Sequence, residues 1–220
     1  MNLRHRLFAE CLGTAFLLAV VVGSGIMGQR LAGGNQALVL LVNSIATGAG
    51  LLALIAALAP VSGAHFNPLV SLVMCVRRDL PWKALPGYVI AQFAGAIIGV
   101  FAAHAMFAIP ILELATKQRP GLPLAGSELI ATFGLLLVVH HTSAKHPDAV
   151  PAAVGCYIAA AYWFTPSTSF ANPALALART FTDTFTGINP ANLPAFVAAE
   201  CIGALLFLFY LRRTAIHAPG

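Results

Sequence analysis

The sequence predicts an all-α membrane protein of six transmembrane helices and two half-length re-entrant helices, arranged as an inverted repeat. Three observations carry this reading. Of 220 residues, 59% are apolar and only 9% are charged, with a mean hydropathy of +0.86; a soluble chain carries about a quarter charged residues and needs them to cover a water-facing surface. Six apolar stretches approach the ~20 residues a helix needs to cross a hydrocarbon core. Two further apolar segments, each opened by Asn-Pro, are too short to cross and fall at matching places in the two halves.

The expected crossings run from Leu7 to Met27, Ala37 to Leu58, Pro86 to Ala108, Ser127 to Thr142, Ala149 to Phe164 and Pro194 to Leu211. Gly33-Gly34-Asn35, the two prolines between Lys117 and Pro123, Lys145-His146-Pro147-Asp148 and Gly187-Ile188-Asn189-Pro190 punctuate the loops. The first crossing lacks a small-residue cleavage site and passes straight into the multi-span pattern, so it is expected to be a helix rather than a cleaved leader. The short segments run from Asn67-Pro68 to about Arg77 and from Asn172-Pro173 to about Phe181. At 1.5 Å per residue each reaches about 15 Å, half the membrane. Asn caps free helix N-H groups and Pro at the first helical position has none to lose, so each pair starts a helix that enters and turns back.

Ala9-Glu10-Cys11-Leu12-Gly13-Thr14 is echoed by Ser127-Glu128-Leu129-Ile130-Ala131-Thr132, and Gln92-Phe93-Ala94-Gly95-Ala96 by Glu200-Cys201-Ile202-Gly203-Ala204. One transmembrane domain, 1–220, therefore divides into repeats 1–110 and 124–220. Three crossings per repeat is an odd number, so the second starts from the opposite face and the amino ends of the two half-helices meet near the midplane. Arg4, Arg6, Arg77, Arg78, Lys83, Lys145, Arg212 and Arg213 fall on one side, against Arg30, Lys117, Arg119 and Arg179 on the other. That excess places both termini in the cytoplasm.

Each half-helix start carries about half a positive charge and exposed N-H donors. Two of them aimed at one spot in a low-dielectric bilayer repel cations and offer hydrogen bonds to neutral, oxygen-bearing solutes. If Asn67 and Asn172 cap through their side-chain oxygens, their amide NH2 groups are free to face a lumen. A single Asn-Pro would read as a cap alone, whereas two at symmetric positions favour a pore.

Other functions fit poorly. The net charge of +5 is spread in short clusters beside apolar runs, a topology signal rather than a nucleic-acid face. Cys11, Cys75, Cys156 and Cys201 lie in or beside apolar runs without CxxC or His at ligand spacing, so they read as core residues and no metal or other cofactor is expected. Neither a Gly-x-Ser-x-Gly elbow nor a His-Glu-x-x-His pair marks an intramembrane hydrolase.

Ser62-Gly63-Ala64-His65-Phe66-Asn67-Pro68-Leu69 and Phe170-Ala171-Asn172-Pro173-Ala174 resemble the two signature loops of the aquaporin and glycerol-facilitator family. The resemblance covers the whole chain, including the Glu10 and Glu128 motifs. It implies an aquaporin-like fold, a pore in each subunit, a homotetramer in a lipid bilayer, and passive passage of small neutral solutes without a cofactor. The loop Ser167-Thr168-Ser169-Phe170-Ala171-Asn172-Pro173-Ala174 is similar to a bacterial subset associated with arsenic resistance, which implies a bacterial inner membrane and neutral metalloid hydroxides such as arsenous acid beside glycerol and water.

Two departures stand out. Leu69 replaces Ala in the first motif, and Leu175 stands where most members carry Arg after the second. By the resemblance, the outer selectivity constriction maps onto Thr47, about Ala160, Ser169 and Leu175, without aromatic, His or Arg: a wide, weakly polar ring. Glu10 and Glu128 are expected to accept hydrogen bonds from the loops entering the half-helices rather than to relay protons, with Gln92 and Glu200 doing related polar work. His65 is expected to line the pore or brace its loop. Arg179, one helical turn beyond Leu175, reads either as a guanidinium guarding an outer vestibule or as an anchor for the loop. His140, His141 and His146 read as a solvated basic loop before a pH sensor or metal site. Gly95, Gly99, Gly203 and Ala204 read as close-packing surfaces. The rival readings are a water-selective channel and an ion-coupled secondary transporter, which also uses inverted repeats and broken helices.

Overall fold

Six long or medium helices surround two short ones in a computed structural model that describes residues 1–215. In chain order they are α1 (Leu3–Leu31), α2 (Gln36–Ser62), α3 (Pro68–Val76), α4 (Leu85–Met106), α5 (Leu122–Lys145), α6 (Val150–Phe164), α7 (Pro173–Ala178) and α8 (Leu193–Ala215). Residues 216–220, the end of the second repeat, lie outside the described residues. No β-strand occurs among the described residues.

The start signals work locally. Asn2, Asn35, Asn67 and Asn172 each cap the helix that follows by accepting from its first backbone N-H groups. Proline occupies the first turn of α3 to α7. Pro123 also accounts for the main difference from the expected boundaries, since α5 begins at Leu122 rather than Ser127. Among the described residues five helical stretches are long and apolar enough to cross a membrane, and α6 has only 15 residues. The 3₁₀ turn Pro147–Ala149 leads directly into α6, and together they reach about 28 Å.

Packing follows the repeat. α1 lies against α4 and α5 against α8, the same relation in each half, while α2 meets its repeat mate α6 between the halves. Small residues permit these approaches: a Cβ on Gly95 or Gly99 would strike the carbonyls of Cys11 or Ala15, and one on Gly203 that of Leu129. Gly48 and Gly155 face each other's carbonyls at the α2–α6 crossing. The half-helices α3 and α7 are thereby enclosed, with Leu69, Val73, Ala174 and Leu175 all buried.

Candidate solute pathway

The loops leading into α3 and α7 are left-handed at equivalent places: Ala64 and Phe66 have φ of 49° and 49°, Ser169 and Ala171 of 48° and 49°. Each such residue costs roughly 1–2 kcal/mol without a glycine, so the loops need outside support. Glu10 supplies it in the first repeat, accepting from the N-H of His65 at 2.9 Å and of Phe66 at 2.8 Å. Glu128 does the same in the second, accepting from Phe170 at 2.9 Å and Ala171 at 2.7 Å. The symmetry extends to α4 and α8. Gln92 donates to Glu10 at 2.8 Å, and Glu200, for which the sequence offered no partner, accepts from the N-H of Asn172 at 3.0 Å.

Asn67 and Asn172 then meet. The side-chain oxygen of Asn67 caps Leu69 N-H at 2.9 Å, and that of Asn172 caps Ala174 N-H at 3.0 Å. Their amide nitrogens are not wholly free, contrary to expectation. Asn67 Nδ2 donates to the carbonyl of Ala171 at 2.7 Å, and Asn172 Nδ2 donates to that of Phe66 at 2.8 Å. These reciprocal bonds tie the half-helix starts together and leave one N-H of each amide unspent.

A cavity of about 870 Å³ runs past this pair. Its lining includes Asp79, Ser143 and Asp148, the central His65, Asn67 and Asn172, and also Thr47, Tyr162, Ser169 and Leu175. His65 both lines it and braces the loop, sharing a hydrogen bond of 3.0 Å with Ser71. Leu69, by contrast, is buried away from it.

One expected position is corrected, and one pair of alternatives is decided. Ala160 is exposed on the outer face of α6, and Tyr162, two residues on and about 200° around the helix, reaches the cavity and shares a hydrogen bond of 3.2 Å with Thr47. This part of the cavity lining therefore does contain an aromatic residue. Arg179 does not face a vestibule: it is 1% exposed, its Nε donates to the Thr186 carbonyl, and its guanidinium lies 3.4 Å from the centre of the Phe170 ring. It anchors the loop after α7.

Arg119, not singled out from sequence as more than a topology charge, joins it. It is 5% exposed, donates from Nε to Gly187 at 2.9 Å and from Nη1 to Ser167 at 2.8 Å, and lies 4.9 Å from the Phe170 ring centre. Burial pushes its guanidinium down to about 10. Burial, then Arg119 and Arg179, push the Lys117 ammonium down to about 8. At the opposite end His141 shares a 2.9 Å hydrogen bond with Tyr210, and His140 packs on His141 within α5 rather than in a loop. No group of three potential metal ligands occurs among the described residues.

Comparison with known proteins agrees with this architecture. The major intrinsic protein family model matches residues 1–210. The chain is 52% identical to "Aquaglyceroporin AqpS" of Rhizobium meliloti (strain 1021), over 96% of this chain and 90% of that protein. It is 28% identical to "Aquaporin NIP6-1" of Arabidopsis thaliana, over 94% of this chain and 67% of that one. The X-ray structure of the aquaglyceroporin from Plasmodium falciparum superposes with a TM-score of 0.72 at 25% identity, covering 94% of each chain. With carboxyl-braced loops, capped half-helices and a family match over nearly its full length, this integral, multi-pass membrane protein belongs to the major intrinsic protein family.

Proposed function

We propose that the chain is a passive channel for small neutral solutes, carrying glycerol-sized polyols and neutral metalloid hydroxides such as arsenous acid as well as water. The reciprocal Asn67 and Asn172 bonds beside the cavity carry this reading. They hold two positive helix ends and two spare amide donors at one place, which disfavours cations and lends hydrogen bonds to a passing hydroxyl. Thr47, Tyr162, Ser169 and Leu175 form the outer constriction in this reading. The set combines three hydroxyls with one apolar side chain, and Ser169 Oγ is buried without a hydrogen-bond partner among the described residues. Such a ring matches a polyol, with its hydroxyls on one side and its carbon chain against Leu175. The names of the similar Rhizobium and Plasmodium proteins support a glycerol-type substrate. Repeats 1–110 and 124–220 form one domain, four copies assemble in a bacterial inner membrane, and both termini face the cytoplasm.

Proteoliposome swelling tests the reading. Glycerol, arsenous acid and water fluxes are expected to rise linearly with concentration difference and to ignore sodium and proton gradients. Uptake that follows either gradient would make the protein a coupled transporter, and water flux without glycerol flux would make it a water channel.

Asn172→Asp probes the centre of the path. Its carboxylate would set an oxygen against the Phe66 carbonyl, where an N-H now donates at 2.8 Å, and would put an anion between two positive helix ends. The loss of one buried bond and the new repulsion are expected to cost about 3 kcal/mol, and protein that inserts should pass cations. A stable, cation-tight Asp variant, read by bilayer recording, would reduce this Asn to a helix cap.

A further inference from the structure

The residues Thr47, Tyr162, Ser169 and Leu175 that line this part of the cavity carry no charge, yet two guanidiniums are held by the loop that supplies Ser169. Phe170 links them to it. The residue borders the cavity, its ring packs on Phe196, and Arg179 lies 3.4 Å and Arg119 4.9 Å from its ring centre. Arg119 also grips the carbonyl of Ser167, whose hydroxyl accepts from the N-H of the ring residue Ser169 at 3.2 Å.

We propose that the positive charge guarding the outer constriction of this chain is held outside the lumen, by Arg119 and Arg179 stacked on Phe170, so that the ring stays wide while still excluding cations. The proposal rests on the reading of those four residues as the constriction.

The cations remain in excess. The carboxyl groups nearest the pair, Glu128 and Glu200, accept from the N-H groups of Phe170, Ala171 and Asn172 and oppose the guanidinium field, but neither makes an ion pair with an arginine among the described residues. Arg179 Nη1 has no hydrogen-bond partner among the described residues. Lys117 adds a third cation close by, with Nζ donating to the Phe185 carbonyl at 2.6 Å. The acidic side chains of the outer loops lie elsewhere: Asp183 accepts from Thr116 at 2.8 Å, and Glu113 lines a separate surface recess with Arg30. Buried charges are poorly screened, so the field of two guanidiniums held by this loop extends to the cavity that the loop lines. A guanidinium in the lumen would give the same field but fill the opening.

Leu175→Cys places a thiol in the ring to measure that field. Proteoliposomes carrying this variant are treated with methyl, sulfonatoethyl or trimethylammonioethyl methanethiosulfonate, and the rate of block of glycerol flux is read. Protein without the added thiol corrects for the four native cysteines. Relative to the rates with a free thiol, the anionic reagent is expected to block about tenfold faster than the cationic one. Adding Arg119→Gln or Arg179→Gln should bring the ratio toward one, and Lys at either position should restore it. A ratio of one or less in Leu175→Cys alone overturns the proposal, whether or not the arginine variants insert. A ratio that falls equally with Gln and Lys overturns it too, by showing that the guanidiniums only brace the loop. If the neutral reagent fails to block, Leu175 is not in the path and the constriction reading falls instead.

Discussion

Glu128→Ala is expected to lower the stability of the folded protein by about 4 kcal/mol, because the N-H groups of Phe170 and Ala171 lose the carboxylate that accepts from both in a buried loop. The side chain is wholly buried, and a buried N-H left without its acceptor carries its full desolvation cost. The loop it holds is left-handed at Ser169 and Ala171, so the strain that the carboxylate offsets is released when it goes. Asn172 and Ser169 would then lose their positions together, and the channel would fail through its geometry. Glu128→Gln keeps one accepting oxygen and turns an NH2 toward the second donor, so it should fall between wild type and Ala. Thermal unfolding in detergent gives the ranking, and glycerol flux from the surviving fraction should fall in the same order. A Gln variant as stable as wild type that loses only proton-dependent transport would identify Glu128 as a relay instead.

The parts of this machinery that the sequence revealed are those encoded locally or twice. Asn-Pro announces a helix start within two residues, and its recurrence at Asn67 and Asn172 marked both half-helices almost to their ends. Glu10 and Glu128 were legible because they occupy the same place in each repeat and a membrane tolerates few carboxylates. What stayed hidden depends on helix phase or on distant contacts. Ala160 follows from counting out from the Asn-Pro motifs under the family resemblance, and an error of two residues turns the side chain to the opposite face of α6, where Tyr162 reaches the cavity. Arg119 meets its partners Ser167 and Gly187 across 48 and 68 residues of chain, and nothing near it in sequence foretells them. The use of one amide N-H of Asn67 and Asn172 on the opposite loop is hidden for the same reason. Glu200 could have been read further, since it echoes Gln92 and so must serve the second loop as Gln92 serves Glu10.

Leu175→Arg should convert the wide ring into a narrow one. Leu175 is the apolar member of the proposed constriction and lines the cavity with Thr47, Tyr162 and Ser169. An arginine there adds length and five N-H donors to the lumen, and Tyr162 and Thr47, already joined at 3.2 Å, leave it little room to withdraw. Arg119 and Arg179 against Phe170 repel it as well, pushing the new guanidinium toward the open side of the ring. Water passes a narrowed, donor-rich ring with its hydrogen bonds largely replaced, whereas a three-carbon polyol loses both space and its apolar contact with Leu175. Glycerol and arsenous acid fluxes are therefore expected to drop about tenfold, a size discrimination of the order that one or two added carbons produce in a fitted site, with water flux changing much less. Equal loss of all three fluxes would indicate a blocked or misfolded channel. Unchanged glycerol flux in properly inserted protein would place the constriction elsewhere, and the wide ring would no longer explain how a polyol passes.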